Sequence, residues 1–344
     1  LMSGGYSVYT SINMDLQEKL QAAVDDNLEN YTSMKDGIYE MQSAATCIDN
    51  TTGNVVAIIG SRTQELEGYT LNRAYQSYRQ PGSSIKPIID YVPYLQKGNT
   101  PDTIVADEYI QDGPKNADGT YMGNITLRTA VSLSRNTVAW NILKELTPKV
   151  GSSYLLNQGF HKIWMDKDYN AISIGGFTYG VSTEEMAGAY ATIANDGKYR
   201  RVTCIVAVYD NRGKTVIDTS NREENIYDSE SCRMMTDMLK TVVSEGTGRG
   251  AAPDDAIVAG KTGTTNSNYD SWFCGYSAYY TLAVWQGYDY PASIPQNATI
   301  KIFRKFMDQA HKGLAKKDFA KYNQKGNQEE TQTETESETE TETQ

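Results

Sequence analysis

The 344-residue sequence predicts an α+β fold, an antiparallel β-sheet covered by helices on both faces. Three observations carry this. Late in the chain Ala256 to Gly260, Ser271 to Tyr279 and Tyr280 to Gly287 are short, closely joined and rich in aromatic and β-branched residues, as an antiparallel meander is. Amphipathic helical periods precede and follow them, at 229–244 and about 298–311. An apolar hairpin pattern occupies residues 41–60. Strands flanked by helices with one apolar face form a layered α+β domain.

From the N-terminus, residues 6–13 alternate like a strand, and Asp15 opens a helix with Leu16, Leu20, Ala23, Val24 and Leu28 on one face. In the hairpin, Met41 to Asp49 and Asn54 to Ile59 are joined by the turn Asn50-Thr51-Thr52-Gly53. Residues 60–82 have no period and read as loop. Pro81-Gly82 then stops the chain, and Ile85, Ile88, Ile89, Tyr91, Val92, Tyr94 and Leu95 predict a helix with Ser83 at or near its first residue. Pro87 is tolerated in a first turn, where its missing N–H is no loss. Residues 97–127, rich in Gly, Asp, Asn, Pro and Thr, form an irregular excursion of a length that is often functional. Helical spacing resumes from Leu127 to Leu146, capped by Thr126 and interrupted over 132–137, where two helices meet. Ser182 or Thr183 caps a helix over 182–194, and residues 201–218 read as a hairpin turning at Asp210 to Gly213. Met234, Met235, Met238, Leu239, Val242 and Val243 give the 229–244 helix a core face. The last helix turns Ile300, Ile302, Phe303, Phe306, Met307 and Ala310 inward.

Composition is that of an ordinary globular chain, 39% hydrophobic and 22% charged. The net charge of −11 includes seven glutamates within 329–342, which leaves about −4 for the body. Without a basic aromatic stripe this argues against a nucleic-acid partner. No apolar run approaches the roughly 18 residues that span a bilayer, and there is no signal-peptide pattern. The start Leu1-Met2-Ser3-Gly4-Gly5 reads as a cut end, predicting a piece of something larger. Cys47, Cys204, Cys232 and Cys274 are widely spaced, and His161 and His311 are the only histidines. A metal site is therefore not expected, and the thiols fit either buried cysteines or up to two disulfides.

Ser83, at a helix start, would sit among unpaired backbone N–H groups at the positive end of the dipole. Lys86, three residues on, falls on the same face, so the pair has the form of a nucleophile and its base. With so few histidines, lysine is the better base for this serine. Alone, the pattern also fits a capping serine and a solvated lysine; Ser134 and Asn136 fit a turn pair, and Lys261 a strand-end lysine. Ala259-Gly260-Lys261-Thr262 is not a phosphate loop, because Asp255 occupies the required glycine position and more strand follows. Gly246-Thr247-Gly248-Arg249-Gly250-Ala251 misses the dinucleotide spacing and follows a helix.

Taken in order, Ser83-x-x-Lys86, Ser134-x-Asn136 and Lys261-Thr262-Gly263 resemble the motifs of class A penicillin-binding protein transpeptidases and the related serine β-lactamases. Arg79 to Pro87, Tyr121 to Asn136, Gly175-Gly176 to Asn195, Thr236 to Leu239, Gly260 to Gly275 and Val284 to Asp289 share the likeness, which covers roughly residues 6–310. The resemblance implies a peptidoglycan D,D-transpeptidase that needs no cofactor. Ser83 would attack the carbonyl between two terminal D-alanines, Lys86 take its proton, and Ser134 relay one to the leaving amine. Lys261 would be the second cation; Asn136, Thr262, Gly263 and Thr264 would bind substrate. The backbone N–H groups of Ser83 and Thr264 would form the oxyanion hole, and β-lactams would acylate Ser83. The expected organisation is a linker over 1–40, a transpeptidase domain over 41–311 and a disordered, basic then Thr/Glu-rich tail over 312–344. The resemblance also implies a membrane-anchored parent with an N-terminal glycosyltransferase domain, working at the extracytoplasmic face of a bacterial membrane. Alternatives on the same scaffold are a D,D-carboxypeptidase, a β-lactamase or a penicillin sensor that does not turn over. A β-lactamase would need a deacylation base, and Glu184 and Glu185 fall on the 182–194 helix.

Overall fold

Alternating side chains make the central sheet apolar on both sides, so it needs cover on both. Trp272, Cys274 and Tyr276 share one core with Ala44, Ala283 and Trp285, whereas Phe273 lies in a second with Ala45, Cys47, Leu282 and Val284. The computed structural model describes residues 5–63, 70–218 and 223–323. Its five-stranded antiparallel sheet runs in the order Ala259–Thr264, Asp270–Tyr276, Tyr280–Tyr288, Met41–Asp49, Val55–Ile59. The early hairpin thus extends the late meander.

On one face lie the helices Met14–Leu28 and Thr299–Ala310, with Phe303 packed on Phe273 at 4.6 Å between ring centres. Asn13, not Asp15, caps the first of these by accepting from Leu16 N, so the helix starts at Met14. On the other face lie Thr183–Ala194 and Ser229–Ser244. The former is buried along most of its length, and Ala187, Gly188 and Ala189 keep it thin. Ser182 and Glu185 close a capping box at its start.

Three segments depart from the sequence expectation. The 60–82 stretch contains a short helix, Arg73–Gln76, capped by Asn72. A further helix, Pro148–Asn157, follows the Asn136–Leu146 helix. The helix after Ser83 is composite: a 3-10 turn at Gly82–Ile85, a π turn at Pro87–Tyr91, and α geometry only at Val92–Leu95. Pro93 has no N–H to close an α turn, and the wider turn lies directly before it. The 97–127 excursion is pinned by a ribbon, Ile104–Asp107 with Gly123–Thr126. Ser7–Thr10 pairs with Ile205–Tyr209, whose hairpin partner is Thr215–Asp218.

Residues 312–323, within the segment expected to be tail, lie against the domain. Tyr279 Oη donates to Ala315 O at 2.9 Å, Lys240 pairs with Asp318 at 2.8 Å, and Phe319 meets the edge of Tyr276. The Thr/Glu-rich remainder, 324–344, lies outside the described residues. All four cysteines are free thiols, three of them buried. No helix of the described residues is long and apolar enough to cross a membrane.

Candidate active site

The turn ahead of Ser83 is clamped from several sides. Arg79 exchanges backbone hydrogen bonds with Val181 at 2.9 and 2.8 Å. The Gln80 amide spans Phe177, donating to its carbonyl at 2.8 Å and accepting from its N–H at 2.7 Å, and Trp272 Nε1 donates to Gln80 O at 2.8 Å. Arg79 pairs with Asp270 at 2.9 Å while its guanidinium lies over the Trp285 ring. Gly82 has φ +52°, and a Cβ there would lie 2.7 Å from Thr264 O, so only glycine lets the turn close on the strand. Gly263 makes the reciprocal approach: its Cβ would lie 2.2 Å from Pro81 O. From behind, Tyr190 Oη donates to Ser84 O at 2.7 Å. Ser84 itself is buried and its hydroxyl donates back to Pro81 O at 2.7 Å, whereas Ser83 is half-buried.

Lys86 and Lys261 are both fully buried. Lys86 Nζ donates to Asn136 Oδ1 at 2.7 Å, Ser134 O at 2.9 Å and Arg135 O at 3.3 Å. These acceptors sit at the break between the helices Leu127–Ser132 and Asn136–Leu146, where Ser134 takes φ +59°. Lys261 Nζ donates to Ser134 Oγ at 2.8 Å and to Thr262 O at 3.2 Å. Ser134 therefore lies between the two amines, its carbonyl on one and its hydroxyl on the other. The direct Ser83–Lys86 hydrogen bond that the spacing suggested is not among the contacts of the described residues. A neutral amine has two N–H groups and a lone pair, so one of the three Lys86 contacts would give way to that lone pair. Asn136 is engaged at both ends, its Nδ2 donating to Lys115 O at 2.8 Å. Thr264 is exposed at the end of its strand, and Thr262 Oγ1 lies 2.8 Å from Thr247 Oγ1.

Burial depresses both amines. Desolvation is the larger cause for Lys86, followed by the Lys261 charge; Asp90 opposes the shift and Arg135 adds to it, leaving Lys86 well below an ordinary lysine. Burial lowers Lys261 to about 7. A lysine depressed this far can act as a base, and Ser134, whose carbonyl meets Lys86 and whose hydroxyl meets Lys261, lies where a proton can be passed on.

A family model described as the penicillin binding protein transpeptidase domain matches residues 43–308. The chain belongs to the penicillin-binding protein transpeptidase family. It is 34% identical to penicillin-binding protein 4 of Bacillus subtilis, over 86% of this chain and 46% of that protein. It is 35% identical to penicillin-binding protein 1A of Clostridium acetobutylicum, over 92% of this chain and 42% of the relative. The chain thus spans less than half the length of these curated relatives. Among solved structures, PonA1 from Mycobacterium tuberculosis in complex with penicillin V superposes with a TM-score of 0.79 at 25% identity, covering 94% of this chain and 90% of that one. Penicillin-binding protein 1A from Haemophilus influenzae shares the fold, with a TM-score of 0.76 at 19% identity over 92% of this chain and 68% of that one. The α+β fold is that of the transpeptidase domains, and the chain carries a serine-type penicillin-binding protein scaffold.

On this penicillin-binding protein scaffold, several residues that the motifs do not name hold the site. Arg135 Nε pairs with buried Asp107 at 2.7 Å, and Arg135 Nη1 with Asp118 at 2.8 Å. Asp107 also accepts from Thr137 Oγ1 at 2.5 Å and Asn116 Nδ2 at 2.7 Å, while Asn116 Oδ1 accepts from Asn136 N at 2.7 Å. The irregular 97–127 excursion is thereby tied to the Ser134–Asn136 break. The length of that excursion was the one sequence signal available; which acid within it meets Arg135 was not readable.

Proposed function

We propose that this chain is a peptidoglycan D,D-transpeptidase acting through a Ser83 acyl-enzyme. Ser83 Oγ attacks the carbonyl carbon of the penultimate D-alanine as its proton passes to neutral Lys86 Nζ. The C–N bond to the last D-alanine breaks as Ser134 gives its hydroxyl proton to the leaving amine and is reprotonated with the proton Lys86 took from Ser83, which returns Lys86 to its neutral form. The amine of a second stem peptide then attacks the Ser83 ester, forming the crosslink and returning a proton to Ser83. The N–H groups of Ser83 and Thr264 hold the oxyanion, and Lys261, Thr262 and Thr264 take the terminal carboxylate. β-Lactams acylate Ser83 in the same way.

The observation that supports this most is the run of contacts from Lys86 through Ser134 to Lys261, with the Lys86 backbone N–H donating to the carbonyl of the half-buried Ser83. Hydrolysis of the ester has less support. Both Glu185 carboxylate oxygens accept backbone N–H groups, from His161 and Ser182 at 2.8 Å each, so Glu185 acts as a cap and not as a base for water. The proposed substrate places the protein at the extracytoplasmic face of a bacterial membrane. Incubation with stem peptides ending in D-Ala-D-Ala and an amine acceptor tests the reading. Aminolysed product from the wild type and none from Ser83→Ala is expected; hydrolysed product alone would make the chain a carboxypeptidase.

A further inference from the structure

We propose that Thr247 is a positioning residue for the substrate carboxylate, acting through Thr262; this rests on the transpeptidase reading above. Thr247 lies on the turn that leaves the Ser229–Ser244 helix and is exposed. Its Oγ1 lies 2.8 Å from Thr262 Oγ1, and its backbone N–H donates to Ser132 O at 3.2 Å. A Cβ at the preceding Gly246 would lie 2.4 Å from Ser132 O, so glycine there lets the turn rest on the helix end that leads into Ser134. The turn is also tied to its own helix, Gly246 N donating to Thr241 O at 3.1 Å and Gly248 N to Val242 O at 3.0 Å. One residue is thus fixed at once to the segment carrying Ser134 and to the strand carrying Lys261.

Two hydroxyls at this distance share one proton and leave the other free. Lys261, one residue before Thr262, donates from Nζ to Ser134 Oγ and Thr262 O, so its positive charge lies against the Thr262 backbone. An anion brought beside that charge favours the arrangement in which Thr247 donates to Thr262 and the Thr262 proton points outward to the carboxylate. The chain of donors strengthens that last bond, since each hydroxyl polarises the next. The ligand class is an acyl donor ending in a free carboxylate. The Gly246-Thr247-Gly248 stretch, which fails as a nucleotide motif, is in this account the outer support of the carboxylate pocket.

The test uses the full chain and two probes, a penicillin with its free carboxylate and the methyl ester of the same penicillin. Thr247→Val keeps the shape and removes the hydroxyl; Thr247→Ser restores it. The expected result is a loss of about three- to ten-fold in second-order acylation of the free acid by Thr247→Val, the size of one hydrogen bond between neutral hydroxyls. The loss should lie in the concentration needed for half-maximal rate, with the ester unchanged within about two-fold and Thr247→Ser close to wild type. Wild-type rates for Thr247→Val on the free acid, or equal losses on both probes, would overturn the assignment while leaving Ser83 acylation intact. No acylation of the wild type by either probe would overturn the transpeptidase reading and this inference with it.

Discussion

Serines 83 and 84 stand side by side, and their surroundings separate them. Ser84 is buried with its hydroxyl spent on Pro81 O, while Ser83 is half-buried and its carbonyl accepts from the Lys86 backbone N–H. The S-x-x-K spacing already favoured Ser83, and so did the helix start. What spacing did not reveal is how Lys86 is held: its acceptors come from residues 134–136, which only the folded chain brings near. Thr247 was equally unreadable, because its partners Thr262 and Ser132 belong to separate elements. The lysine environment makes a pH prediction. In the proposed mechanism Lys86 is a neutral base, so activity would rise with pH past its lowered value, whereas Lys261 is a cation and would be lost as pH rises through about 7. β-Lactam acylation should therefore decline above about pH 7, and Lys261→Gln should remove that decline while moving the acid limb upward, since a nearby positive charge is gone. A wild-type profile flat across that range would contradict this. Stability follows its own sign. Lys261 has a folded value near 7 against an ordinary 10.5, so the unfolded chain binds more protons between them and stability rises with pH there.

At the scale of elements, the break between the helices Leu127–Ser132 and Asn136–Leu146 is the feature that makes the site. It was legible because the polar run Ser132 to Thr137 interrupts an otherwise regular apolar period. Its support was not legible: Arg135 and Asp107 are paired across a gap in sequence that no local pattern specifies. Removing one partner of a buried pair leaves the other charge uncompensated, so Arg135→Ala is expected to lower stability by about 3–5 kcal/mol. Denaturant unfolding checks this, and a change under about 1 kcal/mol would show that the clamp is not structural. The composite 3-10 and π turns after Ser83 also escaped the sequence reading, since their apolar spacing is close to that of an α-helix. Gly82→Ala should disturb that entry most, because the new Cβ meets Thr264 backbone at a positive φ. Loss of β-lactam labelling with the rest of the fold retained by circular dichroism is the expected outcome; normal labelling would contradict it.

For the whole molecule, the α+β class and the cover on both faces were readable from the period-two meander and the amphipathic helices around it. The strand order was not. Met41–Asp49 pairs with Tyr280–Tyr288 across most of the chain, and pairing at that range leaves no local trace. The sheet carries a core on each face, and the Phe273–Phe303 contact belongs to the one away from Ser83. Phe303→Ala is expected to destabilise the fold by about 3–5 kcal/mol in thermal unfolding, while the protein that remains folded still acylates. A loss under about 1 kcal/mol would show that this core is not needed to hold the sheet. The sheet and the buried Thr183–Ala194 helix together hold the three motifs in one place, where Ser83 is the proposed acylation site. Mass spectrometry of peptides from penicillin-treated protein tests this most directly. One acyl adduct on Ser83, absent from Ser83→Ala, is the predicted result; an adduct on Ser84 or elsewhere, or labelling that survives Ser83→Ala, would contradict it.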